Sequence, residues 1–412
     1  MKNKITKISL LICAFGFCIN TQSQILQKLE RKIERKVNQR IDRKTNQMID
    51  KGLDKAEDGI EGSVKKSNST KPRAESNERE NYVTSKFDFV PGEKILFQEA
   101  FINDAKGDFP ARWNTNGSGE IVSISNQEGK WLKIPDNSLS YPEIKKPLPE
   151  NFTVEFDLFY PSGVTRPPIT FGFTEVANPA KTSIQHKKVF YFHIPATIKE
   201  NVGYSTSLYS GRETTQSWPA SKMAGKVIRV SIAVNTTRIR LYMNSNKIFD
   251  LPKTFDPHAL RNNFHFRAAP LIPAPQDGFY ISNLRIAESG MDARSQLIQK
   301  GVYSTTGIYF ESGSATIKPE SAGILKEIAG IMHDHPDMKI IIKGHTDGDG
   351  NQAANEVLSK KRAEAVKAVL SRSYSIDNER METEGKGASR PVSSNDTEEG
   401  KAQNRRVEFV KR

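Results

Sequence analysis

Acidic side chains cluster in one short stretch of the sequence, where their spacing resembles that of a calcium loop. Residues 344–363 read GHTDGDGNQAANEVLSKKRA, and the D-G-D-G-N run from Asp347 places oxygen ligands at the first, third and fifth loop positions. A calcium loop also requires glycine at its sixth position and a bidentate glutamate at its twelfth. Gln352 and Leu358 occupy these positions. We therefore expect no metal and no other cofactor here.

Asp347 and Arg362 form a charged pair of a different kind. The apolar run IIIKGH before Asp347 predicts a strand, and the segment after it predicts a long helix. One stripe of that helix carries residues at helical spacing, namely Asn355, Leu358, Ser359 and Arg362. Two interpretations stay open. Asp347 and Arg362 form an ion pair that fixes the loop, or they bind a zwitterion through its ammonium and carboxylate groups.

The motifs around this pair are similar to those of a known family. G-H-T-D precedes N-x-x-L-S-x-x-R-A, with IYFESGSATIKPES before it and G-K-G and N-R-R-V-E-F after it. In this order, over residues 303–412, they resemble the OmpA-like peptidoglycan-binding domain. The resemblance implies that peptidoglycan is the partner of this region.

The resemblance also implies which side chains bind. In that family the aspartate of GHTD and the arginine of LSxxRA hold the ammonium and carboxylate of diaminopimelate in the peptidoglycan stem peptide. By motif position these are Asp347 and Arg362. Asn355 is expected to shape the pocket, and Arg405 of NRRVE to contribute from the last strand. The family commonly has asparagine at the position of Gly348, so we expect a looser loop. Anchoring needs no catalysis, and the chain is predicted not to be an enzyme.

A carbohydrate-binding or carbohydrate-active protein is the alternative. Jelly-roll glucanases carry E-x-D-x-x-E on one strand, and this chain has E-F-D-L-F-Y, with Glu155 and Asp157 on one strand face. Tyr160 stands where the second glutamate belongs, so a retaining mechanism lacks one of its two acids. Glycan binding would instead use exposed aromatic side chains, although core positions are the competing interpretation for the candidates Trp113, Trp131 and Trp218.

Two domains are predicted to carry these residues. Residues 87–288 hold about ten short strand patterns without intervening helices, which predicts an all-β sandwich and resembles concanavalin-like and laminin-G-like jelly rolls. Residues 289–302 are predicted to be a short helical connector, and a hinge is expected to present the sandwich. Over residues 303–412 strand and helix patterns alternate, and they predict a two-layer α/β domain with the order βαβαββ.

The first 86 residues are predicted to direct and space the protein. Lysines, the apolar run Ile8–Ile19 and then small residues form the pattern of a secretory signal peptide over residues 1–23. A lipoprotein signal acylated at Cys18 is the alternative. Residues 24–62 repeat apolar side chains at helical spacing and predict an amphipathic helix. Residues 63–86 are almost devoid of apolar side chains and predict a flexible linker.

The net charge of +13 does not indicate a nucleic-acid partner. Residues 303–412 hold 17 basic and 17 acidic side chains, so the surplus is spread over the rest of the chain. No domain is strongly basic, as nucleic-acid binding would require. We therefore predict an exported envelope protein of a Gram-negative bacterium, in the periplasm or associated with the outer membrane. It would bind peptidoglycan and present the sandwich to a glycan or protein ligand.

Overall fold

A computed structural model describes residues 87–412 apart from residues 180, 182–187, 197–199, 209–213, 272–276 and 291–292. The predicted signal peptide (residues 1–23), its Cys18 alternative, the amphipathic helix (24–62) and the linker (63–86) lie outside the described residues. Within the described part, no helix is long and apolar enough to cross a membrane.

Two antiparallel sheets are built from residues 94–288. Their strands are β1 (Lys94–Glu99), β2 (Trp113–Thr115), β3 (Glu120–Val122), β4 (Trp131–Ile134), β5 (Ser138–Pro142), β6 (Asn151–Phe159), β7 (Ile169–Thr174), β8 (Lys188–Ile194), β9 (Asn201–Thr206), β10 (Thr214–Ser217), β11 (Ile228–Asn235), β12 (Arg238–Met243), β13 (Asn246–Leu251), β14 (Asn263–Ala268) and β15 (Phe279–Glu288). The first sheet has the order β13-β12-β11-β6-β15-β4-β3, with β1 also paired to β15. The second has the order β10-β9-β8-β7-β14-β5-β2. A helical turn, Ala220–Met223, precedes β11.

The two sheets pack face to face, which confirms the predicted sandwich. Side chains alternate along β6, so Phe156 points into the core while its neighbours Glu155 and Asp157 lie on the outer face. Phe156 of the first sheet meets Phe266 of the second edge-on, with ring centroids 4.8 Å apart. Burial of such large aromatic side chains supplies most of the stabilisation of a core that has no disulfide in its described residues.

Residues 302–411 form a third sheet covered by helices. Its elements are β16 (Val302–Thr305), α1 (Ala322–Asp334), β17 (Ile340–Gly344), α2 (Gln352–Tyr374), β18 (Met381–Gly385), α3 (Glu398–Asn404) and β19 (Val407–Lys411), with 3-10 turns at Pro319–Ser321 and Asn378–Arg380. The sheet order is β16-β19-β17-β18, and β17 and β18 run parallel. The two-layer α/β fold agrees with the prediction. However, the predicted order βαβαββ omits α3.

The sandwich and the C-terminal sheet belong to one compact unit. The Gln403 side chain, on α3, accepts a hydrogen bond from Ile95 N at 3.0 Å and donates one to Glu93 O at 2.9 Å, so α3 covers the edge strand β1. The connector folds into a helical turn at Ala293–Ser295 and a π-helix at Gln296–Lys300. This packed arrangement differs from the expected hinge because polar and apolar contacts join both domains.

Candidate functional site

The loop between β17 and α2 holds Asp347 at the end of a buried strand. Gly344 closes β17, and a Cβ atom there would lie 2.1 Å from Ser359 O, so only glycine allows this approach of strand and helix. Asn351 caps α2 by accepting a hydrogen bond from Ala354 N at 3.1 Å. The strand end and the helix start therefore fix both ends of the loop.

Asp347 is paired with Arg405. The Arg405 Nη1 atom lies 2.5 Å from Asp347 Oδ2, and the two side chains are 40% and 14% exposed. Asp349 N donates a further hydrogen bond to Asp347 Oδ1 at 3.2 Å. Among the described residues, Asp347 makes no ion pair with Arg362, so the arginine that binds it comes from the far end of the domain.

Arg362 is held in place by uncharged groups. Its Nε donates to Ser314 O at 2.9 Å, and its guanidinium lies over the Phe310 ring, 4.8 Å from the centroid. No carboxylate of the described residues lies within 4.0 Å of it. Burial lowers the pKa of Arg362, the charge of Arg405 lowers it further, and Asp347 partly offsets both. Arg362 is thus a positioned cation without a paired anion, close to the Asp347–Arg405 pair.

Asn355 and Gly348 contact the loop itself. The Asn355 side chain donates to Asp349 O at 2.8 Å, and Gly348 N donates to Asn395 Oδ1 at 2.9 Å. The exposed Asp349 carboxylate pairs with Lys401 of α3 at 2.9 Å. Three separate segments therefore hold this loop through hydrogen bonds and an ion pair.

A cavity of about 300 Å³ opens beside Arg362, between the C-terminal domain and the outer face of the first sheet. Arg362 and Arg405 line it from the C-terminal side. The sandwich contributes Asp157, Arg229 and Asn283. Asp347 is not among the lining residues, so Arg405 connects the Asp347 carboxylate to this cavity.

The carboxylates considered for glycan hydrolysis are engaged in ion pairs. Glu155 is fully buried and accepts hydrogen bonds from Arg285 Nη1 at 2.8 Å, Arg229 Nη2 at 3.2 Å and the Tyr309 hydroxyl at 2.8 Å. Asp157 lies on the same face, as expected, and pairs with Arg229 at 3.2 Å. These contacts explain the two acids as the link between the sandwich and the C-terminal domain.

The tryptophans proposed as glycan platforms lie in the interior. Their relative exposures are 4%, 2% and 3%, for Trp113, Trp131 and Trp218 in that order. The core interpretation is therefore the correct one for all of them.

Three residues that hold the site were missed by the sequence analysis because they belong to other elements. Lys401 of α3 pairs with Asp349, and Ser314 and Phe310 hold Arg362. Arg405 was predicted at this site, but it directly follows α3 and does not lie in the last strand, which begins at Val407. A signal for α3 was present, since Thr397 is followed by two glutamates, and its hydroxyl accepts a hydrogen bond from the main chain of the first turn at 3.1 Å. No sequence pattern of this kind indicates that Ser314 and Phe310 contact Arg362.

Comparisons with known proteins show which proteins the C-terminal region is similar to. The model of the OmpA family matches residues 309–405. The chain is 41% identical over 103 residues to the probable lipoprotein YiaD of Escherichia coli, which covers 25% of this chain and 47% of that protein. It is 34% identical to outer membrane porin F of Pseudomonas aeruginosa over 127 residues, 31% of this chain and 35% of the porin. The chain thus spans about half of the first relative and about a third of the second.

Other relatives are matched over most of their length. The outer-membrane lipoprotein YfiB of Pseudomonas aeruginosa is 31% identical over 137 residues, 33% of this chain and 80% of YfiB. Among solved structures, the peptidoglycan-associated lipoprotein of Burkholderia pseudomallei is 33% identical, with 26% of this chain and 89% of that chain covered and a TM-score of 0.24. On the strength of its C-terminal domain, this chain belongs to the OmpA family.

Proposed function

We propose that the chain is a non-catalytic envelope protein that binds peptidoglycan through the diaminopimelate of its stem peptide. The observation that carries this is the state of Arg362, a cation fixed by Ser314 and Phe310 and left without a carboxylate partner among the described residues. A ligand carboxylate would complete it with a forked, charge-assisted contact. Outer-membrane proteins and lipoproteins among the relatives support an envelope location.

Asp347 would take the ammonium group of the same ligand. A carboxylate has about four acceptor positions, and Arg405 and Asp349 N use part of them. Asp347 can therefore accept a ligand ammonium while Arg405 stays in place and faces the ligand carboxylate together with Arg362. Asn355 acts indirectly, since its amide holds the loop carbonyl beside Asp347.

The expected affinity is weak and suits a polymer. Each charge-assisted hydrogen bond contributes about 1.5–3 kcal/mol net, so two or three contacts predict a dissociation constant of about micromolar to millimolar. Peptidoglycan repeats the same stem peptide many times, and rebinding raises the effective concentration. Anchoring then needs no bond to be broken.

Each predicted domain has its own role in this function. Residues 303–412 would be the peptidoglycan-binding domain and residues 87–288 a jelly-roll-like module that meets a glycan or protein ligand. Residues 1–23 would direct export as a signal peptide. The buried Glu155 network supports a non-catalytic sandwich because it removes the acid that hydrolysis would need.

Co-sedimentation with purified diaminopimelate-type peptidoglycan tests the proposal. We expect Asp347→Ala and Arg362→Ala each to reduce the bound fraction by about tenfold, equivalent to about 1.4 kcal/mol. Asp337→Ala and Lys361→Ala are matched controls, because both side chains are exposed and neither residue lies in the loop of Asp347 or lines the cavity. Peptidoglycan with lysine in place of diaminopimelate lacks the side-chain carboxylate and should bind poorly. Equal sedimentation of wild type and both site variants would show that the assignment is wrong.

A further inference from the structure

The cavity between the two domains has an unusual charge balance. Nearly all of the charged side chains that line it form an ion pair within 4.0 Å. The pairs are Asp157–Arg229, Arg285–Glu155, Lys318–Glu311, Arg405–Asp347 and Arg406–Glu408. Among the described residues that line it, Arg362 and Glu320 lack such a partner. The cavity therefore offers one unpaired cation and one unpaired anion.

Glu320 is the less expected of the two. It lies in the 3-10 turn Pro319–Ser321 that precedes α1, and its Oε2 atom is buried without a hydrogen-bond partner in the described part of the chain. A buried carboxylate oxygen without a donor is destabilising, so such groups need an explanation. No lysine or arginine of the described residues lies within 4.0 Å of it. A rotation of this carboxylate about its last side-chain bond would present it to an N–H donor of a ligand in the cavity, which would supply the missing hydrogen bond.

We propose that this cavity continues the peptidoglycan site, and that Glu320 binds a backbone amide of the stem peptide whose diaminopimelate carboxylate is held by Arg362. This inference rests on the proposed function. It adds a residue outside the GHTD and LSxxRA motifs and makes the sandwich the second wall of the site, through Asp157 and Arg229. A volume of about 300 Å³ lies at the lower end of the range of ligand pockets, about 300–1,000 Å³. It suits one or two residues of a peptide.

The cavity wall formed by the sandwich is rigid because its charged side chains pair with one another. Arg229 is held by Glu155 and Asp157, and the Asn283 side chain donates to Asp157 at 2.7 Å. The charges of these groups neutralise each other. The wall therefore limits the size of a ligand and does not attract ions. Recognition in the cavity then depends on Arg362 and Glu320, and the sandwich limits how far the peptide can extend.

The test compares two ligands by calorimetry on the full chain: free meso-diaminopimelate, and a tetrapeptide that contains it. Glu320→Ala should weaken tetrapeptide binding by about tenfold, the loss of one charge-assisted hydrogen bond, and leave free diaminopimelate binding unchanged. Glu379→Ala is the matched control, since this exposed glutamate also lies in a 3-10 turn of the C-terminal domain, Asn378–Arg380, and does not line the cavity. A purely structural role of Glu320 would weaken both ligands alike and would overturn the inference.

A second variant tests the wall from the sandwich side. Gln98 lines the cavity, and the hydrogen bonds at this residue are made by its main-chain atoms. Gln98→Trp should narrow the cavity and weaken the tetrapeptide at least about tenfold with free diaminopimelate unaffected. If both variants bind the tetrapeptide like wild type while Arg362→Ala loses both ligands, the extended site is wrong and the anchor survives. If Arg362→Ala also retains both ligands, the proposed function fails as well.

Discussion

Replacement of Glu155 by glutamine tests the polar network that joins the sandwich to the C-terminal domain. The fully buried Glu155 carboxylate accepts hydrogen bonds from Arg285, Arg229 and Tyr309. Glutamine keeps the shape of the side chain but removes its charge. Arg285, whose side chain is 5% exposed, would retain only neutral acceptors in Gly92 O and Thr306 Oγ1.

The expected loss is large because a buried cation is left without its counter-ion. Removal of one partner of a buried ion pair costs about 3–5 kcal/mol. Unfolding of a unit of about 330 residues has an entropy of about 0.7 kcal/mol/K at about 2.1 cal/mol/K per residue. The melting temperature of Glu155→Gln should therefore fall by about 4–7 °C.

Thermal unfolding followed by circular dichroism measures this shift. Asp250→Asn is the matched control: it makes the same chemical change on the same sheet, in a bidentate pair with Arg238 whose side chain is 46% exposed. An exposed pair contributes about 0–1 kcal/mol, so the control should melt within about 1.5 °C of wild type. If Glu155→Gln melts no lower than Asp250→Asn, the network is not a source of stability and the reasoning fails.

Two further predictions concern the C-terminal domain. Gly323→Ala places a methyl group 1.9 Å from Phe89 O, so it should lower the free energy of unfolding by about 1–3 kcal/mol. A methyl group at Gly330 of the same helix would have nothing within 4 Å, so Gly330→Ala should raise the free energy of unfolding by about 0.5–1 kcal/mol. Urea unfolding measures both changes. Equal effects would contradict the close packing of Phe89 on α1. His345 and a neighbouring arginine hold the pKa of Glu408 at about 2, below its usual 4.5. The stability from Glu408 is full above pH 4.5 and is lost as the pH falls through about 2, so the advantage of wild type over Glu408→Gln should shrink across that window. A constant difference between pH 6 and pH 2 would disprove this linkage.

Sequence periodicity predicted the long helix α2 after the loop of Asp347. Its N-cap Asn351 and the stripe from Asn355 to Arg362 are local features, and local features determine where a helix begins and which residues share a face. The same holds for Glu155 and Asp157, whose shared strand face follows from their spacing of two. These parts of the fold were predictable because each depends on neighbours in the chain.

The partners of the site residues were not predictable in this way. Asp347 pairs with Arg405, 58 residues later, and not with Arg362, which the helix stripe had suggested. The pairing depends on how α3 and β19 return to the sheet, and on packing that no local pattern encodes. No sequence pattern predicted a role for Glu320, because the cavity that it lines is formed together with residues of the sandwich.

The docking of the C-terminal domain determines where the sandwich can meet a second ligand. Glu155 and Arg285, on the outer face of the first sheet, are 0% and 4% exposed because the C-terminal domain lies against them. Helix α3 covers β1 through Gln403. Under the proposed function, a glycan or protein ligand of the sandwich would bind away from this covered part of the first sheet, which leaves the proposed peptide cavity free. If the C-terminal domain anchors the protein to peptidoglycan as proposed, the buried charge network that joins the two domains would transmit a force on the anchor directly to the sandwich.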